Sequence, residues 1–392
     1  MSGPDLSGSW DVVIVGGAAI GASVAWWLTR EPGLRVLIVE RDPSYATAST
    51  SLSAASIRQQ FSTPVNVAIS RFGVEFIRDF PARTGGPDLA LRENGYLVCA
   101  SAKGRAALEA MVATQHAEGA ATRLLPRGAL AERFPWLQSD DLALASFGET
   151  GEGWFDATGL RQGLLSGARA AGAGYLAGEV TGFETEGPRI TAVRLAGGGR
   201  IACGAVVNAA GPRAARVAAM AGLCLPVEPR KRHCFVVSCP EAVPAGMPLV
   251  TCPSGLWVRP EGAHVLCGAA SDPDGPCDPE DFGTDHGVWE DFLWPALAHR
   301  VPQFERARVE TWWTGHYAMN TLDANALLGP HPDRPNLYLA NGFSGHGLQQ
   351  APAVGRGIAE LIRFGGYRSL DLSPLSAERL VTGRALGEAA VI

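Results

Sequence analysis

None of the eight cysteines (Cys99, Cys203, Cys224, Cys234, Cys239, Cys252, Cys267 and Cys277) forms a C-x-x-C pair, and no H-E-x-x-H or paired-Cys metal spacing is present. This argues against a disulfide scaffold and against a zinc or redox-pair site, and reads as a reduced, cytoplasmic protein. Basic excess is also missing. The 33 Lys+Arg stand against 39 Asp+Glu, a net charge of −6, which excludes the electrostatic footprint of a nucleic-acid binder. Met1 to Trp10 has neither a basic n-region nor an apolar h-region, and Asp5 and Asp11 do not suit a transit peptide. Internal repeats and low-complexity segments are absent. The most apolar stretch, Val12 to Leu28, is broken by Gly16, Gly17 and Gly21 and is at the short end for crossing a bilayer, so no membrane span is expected. With 46% hydrophobic residues the chain is too apolar for disorder. Its 392 residues suit two domains of about 150 residues or more and a large core that needs no staples.

Glycine is what the chain has in excess, 48 of 392 residues against an average of about 7%. No G-X-Y period accompanies it, so the excess points to places where backbone must approach something closely. The first such place is near the N-terminus. Asp11-Val-Val-Ile-Val15 reads as a strand buried on both faces, Gly16-Gly17-Ala18-Ala19-Ile20-Gly21 as a turn, Ala22 to Arg30 as a helix, and Arg35 to Val39 as a second strand ending at Glu40. A glycine turn at a helix N-terminus meets a pyrophosphate with backbone N–H groups and the helix dipole. The fingerprint is G-x-G-x-x-G with Ala18 in place of the second glycine. Glu40, nineteen residues beyond Gly21, supplies a carboxylate for a ribose 2′-OH and would repel a 2′-phosphate. A turn that only packs helix on strand would not require this acid.

Further along, helices are expected over 64–80, 106–118 and 160–171, a loop followed by a helix start over 42–56, and strands over 95–100, 180–183, 190–195 and 201–208. Antiparallel strands are expected over 234–238, 256–259 and 264–268, and the acidic, Pro/Gly-rich 272–285 stretch reads as a surface loop. Leu337 to Ala340 is a short strand before a second glycine turn, Gly342-Phe343-Ser344-Gly345-His346-Gly347-Leu348-Gln349-Gln350, which opens a helix through Ile362. The two turns must meet in space to serve one large cofactor.

The N-terminal unit, Asn208-Ala209-Ala210-Gly211-Pro212 and Gly-Phe-Ser-Gly-His-Gly together resemble the D-amino-acid oxidase superfamily of FAD-dependent amine oxidoreductases, nearest its sarcosine and dimethylglycine branch. Residues 225–350, with Pro229-Arg230-Lys231-Arg232, Trp312 to Asn320 and Gly342 to Gln350, resemble the FAD-containing assembly factors of mitochondrial respiratory complex I. The resemblance implies an α/β fold of p-hydroxybenzoate-hydroxylase type. A discontinuous Rossmann-like FAD-binding domain would occupy 1–85, 150–220 and 320–392. A substrate domain with a mostly antiparallel sheet would occupy 86–149 and 221–319. It implies that FAD meets Gly16, Ala18, Ala19, Ile20 and Gly21 at its pyrophosphate, and Glu40 and Arg41 at the adenosine ribose. Val180 would meet the adenine, Ser49, Ser53, Ala54, Ala55 and Ser56 the ribityl chain and ring, and Ala209 and Gly211 belong to the same shell. Gly345, His346, Gly347, Leu348 and Gln349 would lie at the pyrimidine end, where N–H groups stabilise developing negative charge.

Departures from the family bear on attachment and acceptor. Ser53 stands where dimethylglycine-type enzymes carry a flavin-attaching histidine, and His316, before Asn320-Thr321-Leu322-Asp323, stands where sarcosine-oxidase-like enzymes carry an attaching cysteine. Non-covalent FAD is the expectation, with His316 hydrogen-bonding near the ring. Gln349 replaces a carboxylate-binding lysine, which leaves the electron acceptor open between oxygen and another carrier. The expected reaction is hydride transfer from the α-carbon of a small secondary, N-methylated or other amino-acid amine to flavin. Its carboxylate needs a cation, for which Arg58 and Arg259 are the candidates. Trp312, Trp313 and Tyr317 are candidates for an aromatic wall, and each has an equal reading as core. His346 reads as a turn residue sooner than as a base. An FAD-binding scaffold with a protein partner, and a D-amino-acid or iminoacid dehydrogenase, are the alternatives.

Overall fold

A computed structural model describes residues 8–390, and the Met1–Ser7 part of the N-terminal reading lies outside these described residues. Two eight-stranded sheets organise the chain. The first is ordered Leu327–His331, Arg334–Asn341, Arg200–Asn208, Trp10–Val15, Val36–Glu40, Gly174–Ala177. The four pairings among its five strands outside the edge strand Leu327–His331 are parallel; that edge strand is antiparallel to its neighbour, and the hairpin Val180–Glu186 and Arg189–Leu195 extends the sheet through antiparallel pairing with Arg200–Asn208. The strand Val12 to Val15 is at most 7% exposed. A run this apolar tolerates burial on both faces, as a parallel sheet between helices demands.

Register places the site. Val15 pairs with Asn208, and Asn208 with Leu339, so three parallel strands end together. Each then enters a turn: Gly16–Ala18, Ala209–Gly211 and Gly342–His346. Ligand crevices in open α/β sheets form at this carboxyl edge. Asn208 stitches the turns, accepting from Ala210 N at 3.2 Å and Asn341 Nδ2 at 3.3 Å while donating to Ala214 O at 3.0 Å. The helices Ala19–Leu28 and Gly347–Phe364 pack against each other over one face. Their approach depends on Gly355, where an added Cβ would lie 2.1 Å from Ser23 Oγ.

The second sheet is ordered Arg308–Asn320, Val227–Ser238, His264–Ala270, Trp257–Glu261, Leu249–Thr251, Tyr96–Ala100, Leu144–Gly148, Arg123–Pro126. All its pairings are antiparallel except Leu249–Thr251 with Tyr96–Ala100. The α/β architecture with one Rossmann-like sheet and one mostly antiparallel sheet is therefore the one the sequence suggested.

Several local expectations hold with shifted ends. The first helix begins at Ala19, inside the glycine turn, and the helix after Asp156 runs Ala157–Ala170, capped by the Asp156 carboxylate on Gly159 N at 2.9 Å. The expected 64–80 helix stops at Arg78, and a short Phe80–Thr84 helix follows. The helix start expected within 42–56 is not there. Asp42 accepts from Ser44 N at 3.0 Å, Ser44 Oγ from Ala46 N at 3.1 Å and Ser53 Oγ from Ala55 N at 2.9 Å. Such side-chain-to-backbone bonds outcompete a helix, and Tyr45 and Ala55 adopt φ of 57° and 56°. Among the described residues no helix is long and apolar enough to cross a membrane, and no His/Cys/Asp/Glu group could hold a metal. All eight cysteines are free.

Candidate active site

One continuous cavity runs along the carboxyl edge of the first sheet and under the second. At one end the strand Val36–Glu40 delivers the Glu40 carboxylate, 8% exposed. Its Oε2 accepts from Gly17 N at 2.7 Å and its Oε1 from Asp42 N at 2.8 Å. A carboxylate offers about four acceptor sites, so two remain for a diol. Gly16 adopts φ +99°, and a Cβ on Gly21 would lie 1.9 Å from Gly16 O. The turn thus needs glycine at both positions. Gly16, Ala18, Ala19 and Ile20 line the cavity, whereas Gly21 stands behind them. Ala19 N donates to Thr50 Oγ1 at 3.2 Å, which brings the 47–54 turns alongside.

Ser49, Ser53, Ala54 and Ser56 line the middle, and Ala55 does not. Ser49 Oγ donates to His316 O at 2.8 Å, joining this segment to the strand Arg308–Asn320. Val180, Ala209 and Gly211 complete the wall near Glu40. Arg41 lines the same end with Arg213 and Arg216, which composition alone does not single out. All three turn to one carboxylate, Glu280: Arg41 Nη1 at 2.8 Å, Arg213 Nε at 2.7 Å and Arg216 Nη1 at 3.7 Å. Arg213 and Arg41 hold the Glu280 carboxyl down at about 2. The 272–285 stretch is thus more than a surface loop, because it is tied to the cavity-lining Arg41, Arg213 and Arg216.

At the far end Gly345, His346, Gly347, Leu348 and Gln349 line the cavity at the N-terminus of the 18-residue helix Gly347–Phe364. Gly345 has φ +95°, and a Cβ there would lie 2.3 Å from the Tyr317 ring. Ser344 Oγ accepts from Asn320 N at 3.0 Å and so fixes the turn to the second sheet. Two glycine turns over 300 residues apart in sequence therefore border one elongated space. The cradles, the acid and the helix N-termini fit a flavin dinucleotide. Glu40 would hold its ribose, the Gly16–Ile20 turn its pyrophosphate, and Gly345–Gln349 its ring end.

Arg58 is the chief polar feature of the ring end. It is 3% exposed, and among the described residues no carboxylate lies within ion-pair distance of it. Its Nη1 donates to Tyr96 Oη at 3.1 Å, its Nη2 faces His346 Nε2 at 3.1 Å and Ala390 O, and its buried Nε has no partner among the described residues. Burial and the neighbouring Arg58 charge push His346 down to about 3, so its ring is neutral at ordinary pH and accepts from Arg58. Burial pushes Tyr96 up to about 12 against the pull of Arg58. Gln349 Oε1 accepts from Arg58 N at 2.9 Å, which commits this amide to holding the Arg58 backbone.

Arg259 is brought elsewhere. It does not line the cavity, and its guanidinium is taken up by Ala54 O at 3.1 Å, Pro260 O at 2.8 Å and Glu261 Oε2 at 2.5 Å. It shares a sheet face with Trp257, which does line the cavity, but two residues further on it lies roughly 7 Å along the strand. His316 lines the cavity with Nε2 against Asp281 O at 2.8 Å, its ring 4.4 Å from Phe282, and a buried Nδ1 that has no partner. Burial pushes its pKa down. Of the three aromatic candidates only Tyr317 lines the cavity; Trp312 is 47% exposed and Trp313 donates to Leu52 O at 3.0 Å. The aromatic wall is instead Tyr317, Tyr96 and Trp257. Tyr96 carries no motif, and only its place on a strand facing the glycine turn marks it.

The chain belongs to the FAD dependent oxidoreductase family, whose pattern matches residues 11–361. It is 41% identical over 423 residues to FAD-dependent oxidoreductase domain-containing protein 1 of Bos taurus, covering 97% of this chain and 87% of that one. It is 31% identical over 379 residues to glycine oxidase of Geobacillus kaustophilus, covering 94% of this chain and 97% of that one. Among solved structures, L-proline dehydrogenase from P. horikoshii superposes with a TM-score of 0.85 at 25% identity, covering 96% of this chain and 99% of that one.

Proposed function

We propose that this member of the FAD dependent oxidoreductase family oxidises the C–N bond of a small α-amino acid with a secondary, N-methylated or primary amine, and that Arg58 receives the substrate carboxylate. The observation that carries this reading is the buried Arg58 guanidinium, which lines the cavity beside the second glycine turn and, among the described residues, has no carboxylate within ion-pair distance. A buried charge is costly unless paired, and a substrate carboxylate supplies the missing partner in a geometry a guanidinium favours. The glycine oxidase and L-proline dehydrogenase similarities support the same substrate class. FAD, when bound without a covalent link, supplies the two-electron acceptor. The chain's own residues do the rest. Tyr96, Tyr317 and Trp257 close an apolar chamber around the amine, and the N–H groups at the start of the helix Gly347–Phe364 face negative charge gained at the ring end.

The division of labour follows the sheets. Residues 1–85, 150–220 and 320–392 hold the cofactor, and 86–149 and 221–319 cover it and shape the substrate pocket. The eight free thiols suit a reducing compartment such as the cytoplasm. The test is anaerobic mixing of the FAD-loaded protein with sarcosine, dimethylglycine, glycine, L-proline and D-amino acids. Loss of the yellow flavin band with at least one supports the reading and names the substrate. No loss with any of them, together with a stably co-purifying protein, supports an FAD-binding scaffold instead. Reoxidation of the bleached protein by air, or only by an added quinone, decides the acceptor.

A further inference from the structure

Arg58 is held from behind by a part of the chain remote from both sheets. After the short helix Arg379–Thr382 the chain crosses Asp323, where Leu386 N meets Oδ2 at 2.9 Å and Glu388 N meets the carbonyl at 3.1 Å. Glu388 then plunges inward and is 6% exposed. Its carboxylate accepts from Ser62 N at 2.8 Å, Ser62 Oγ at 2.5 Å, Thr63 Oγ1 at 2.8 Å and Asn66 Nδ2 at 2.9 Å. It also accepts from Ala390 N at 3.0 Å, which restrains Ala390, the residue whose own carbonyl oxygen accepts from Arg58 Nη2. The Ala390 side chain packs beside Phe61, Val67 and Ala120. Ala390 does not line the cavity, so the segment reaches the guanidinium from outside it.

A buried carboxylate with five donors is a costly device where only packing is needed, since an apolar side chain would serve packing better. Burial would raise the Glu388 carboxyl, but the bonds from Ser62, Asn66 and Thr63 outweigh it and hold it low. It therefore stays ionised and partly balances the charge on the Arg58 side. We infer that the segment Leu386–Ala390 is the back wall of the carboxylate site and that Glu388 is a positioning residue, setting through Ala390 O which edge of the Arg58 guanidinium is offered to the substrate. The inference rests on the reading of Arg58 as carboxylate receptor.

The test uses the full-length, FAD-loaded protein and a non-reacting pair of probes, pyrrole-2-carboxylate and pyrrole-2-carboxamide. Binding is read by the perturbation of flavin absorbance and by the rise in Tm. Wild type should prefer the carboxylate, and Arg58→Met should abolish that preference. Glu388→Gln should reduce it by about tenfold, because misplacing a binding group by a fraction of its reach costs on this order, while affinity for the carboxamide stays unchanged. A general loosening of the fold would weaken both probes alike and would overturn the inference. So would full carboxylate preference in Glu388→Gln when Arg58→Met has lost it. If Arg58→Met keeps the preference, or wild type shows none, the receptor reading itself fails and this inference with it. Should Glu388→Gln not fold, Ser62→Ala removes a donor to Glu388 and the acceptor of Ala389 N, which lies at 2.9 Å. A partial loss of preference is then expected, and no loss overturns the inference.

Discussion

Replacing Arg58 by Met is the sharpest test of the proposed chemistry, because methionine keeps most of the volume and removes the charge. Two opposed effects on stability follow. Tyr96 Oη, His346 Nε2 and Ala390 O lose their guanidinium donor, at about 1–3 kcal/mol for each group left unsatisfied. Against this, a buried charge with no carboxylate partner among the described residues disappears, which recovers a desolvation penalty of several kcal/mol. Net stability should therefore change little, and Tm should stay within a few degrees of wild type. The loss in binding has no such offset. Two charge-assisted hydrogen bonds to a carboxylate, at about 1.5–3 kcal/mol each, correspond to a fall in kcat/KM of about 10² to 10⁴ at 1.4 kcal/mol per tenfold. Stopped-flow reduction of the flavin, measured against substrate concentration, separates the two parameters. The apparent dissociation constant should rise steeply, and the corresponding amino-acid amide should react equally with wild type and variant. A change below about threefold in kcat/KM, with FAD content intact, would refute the assignment of Arg58.

Other outcomes follow from single features of the site. Gly345→Ala should lower the FAD-to-protein ratio of purified material severely, since φ +95° and a Cβ 2.3 Å from the Tyr317 ring force the turn aside at about 1–3 kcal/mol of backbone strain alone; a full complement of FAD would contradict this. Glu280→Gln should speed FAD association with apoprotein by about three- to tenfold, because it removes the charge that holds the cavity-lining Arg41 and Arg213; quenching of flavin fluorescence measures it, and an unchanged rate would dismiss the loop as a latch. Burial pushes the Glu152 carboxyl up to about 7, so between the usual carboxylate range and pH 7 the folded chain binds one more proton than the unfolded one and stability falls as pH rises through that window. Denaturant unfolding should show wild type losing about 2 kcal/mol relative to Glu152→Gln between pH 5.5 and 8, and parallel pH profiles would refute the shift.

The parts of the site that could be read from sequence are those in which a local pattern and the chemistry coincide. Gly16, Gly21 and Glu40 lie within one strand–helix–strand unit, and the backbone alone fixes their relation. The second glycine turn follows for the same reason, since a strand must end and a helix begin at Gly347. What could not be read depends on distant segments meeting. Glu388 lies 326 residues from Ser62, and Tyr96 reaches Arg58 across a pairing of short strands whose register no periodicity reveals. Arg259 shows the limit in the other direction. Arg259 lies on the same strand as Trp257 and two residues on, but strand alternation says nothing of how far along the strand the cavity extends. The 42–56 segment departs from the expected helix start because Asp42, Ser44 and Ser53 each close a local turn.

The cavity's charge is the link between fold and chemistry. The chain carries a net −6, yet Arg41, Arg58, Arg213, Arg216 and Arg232 all line one space. Four of them are paired with carboxylates from the 272–285 stretch: Arg41 and Arg213 with Glu280, Arg216 with Asp278 at 3.1 Å, and Arg232 with Asp274 at 2.9 Å. Those pairs are partly exposed, so their value is small singly and lies in tying the loop to the cavity wall. Arg58 is treated differently. Its contacts are a hydroxyl, an imidazole and a carbonyl, which orient the guanidinium without cancelling its charge. In a low-dielectric chamber walled by Tyr96, Tyr317 and Trp257 a charge that is only partly balanced, by the more distant Glu388, attracts an anion more strongly than it would in water. A zwitterionic amino acid meets that demand and presents its amine to the opposite side, whereas a simple amine would leave the charge unpaired and add a second cation.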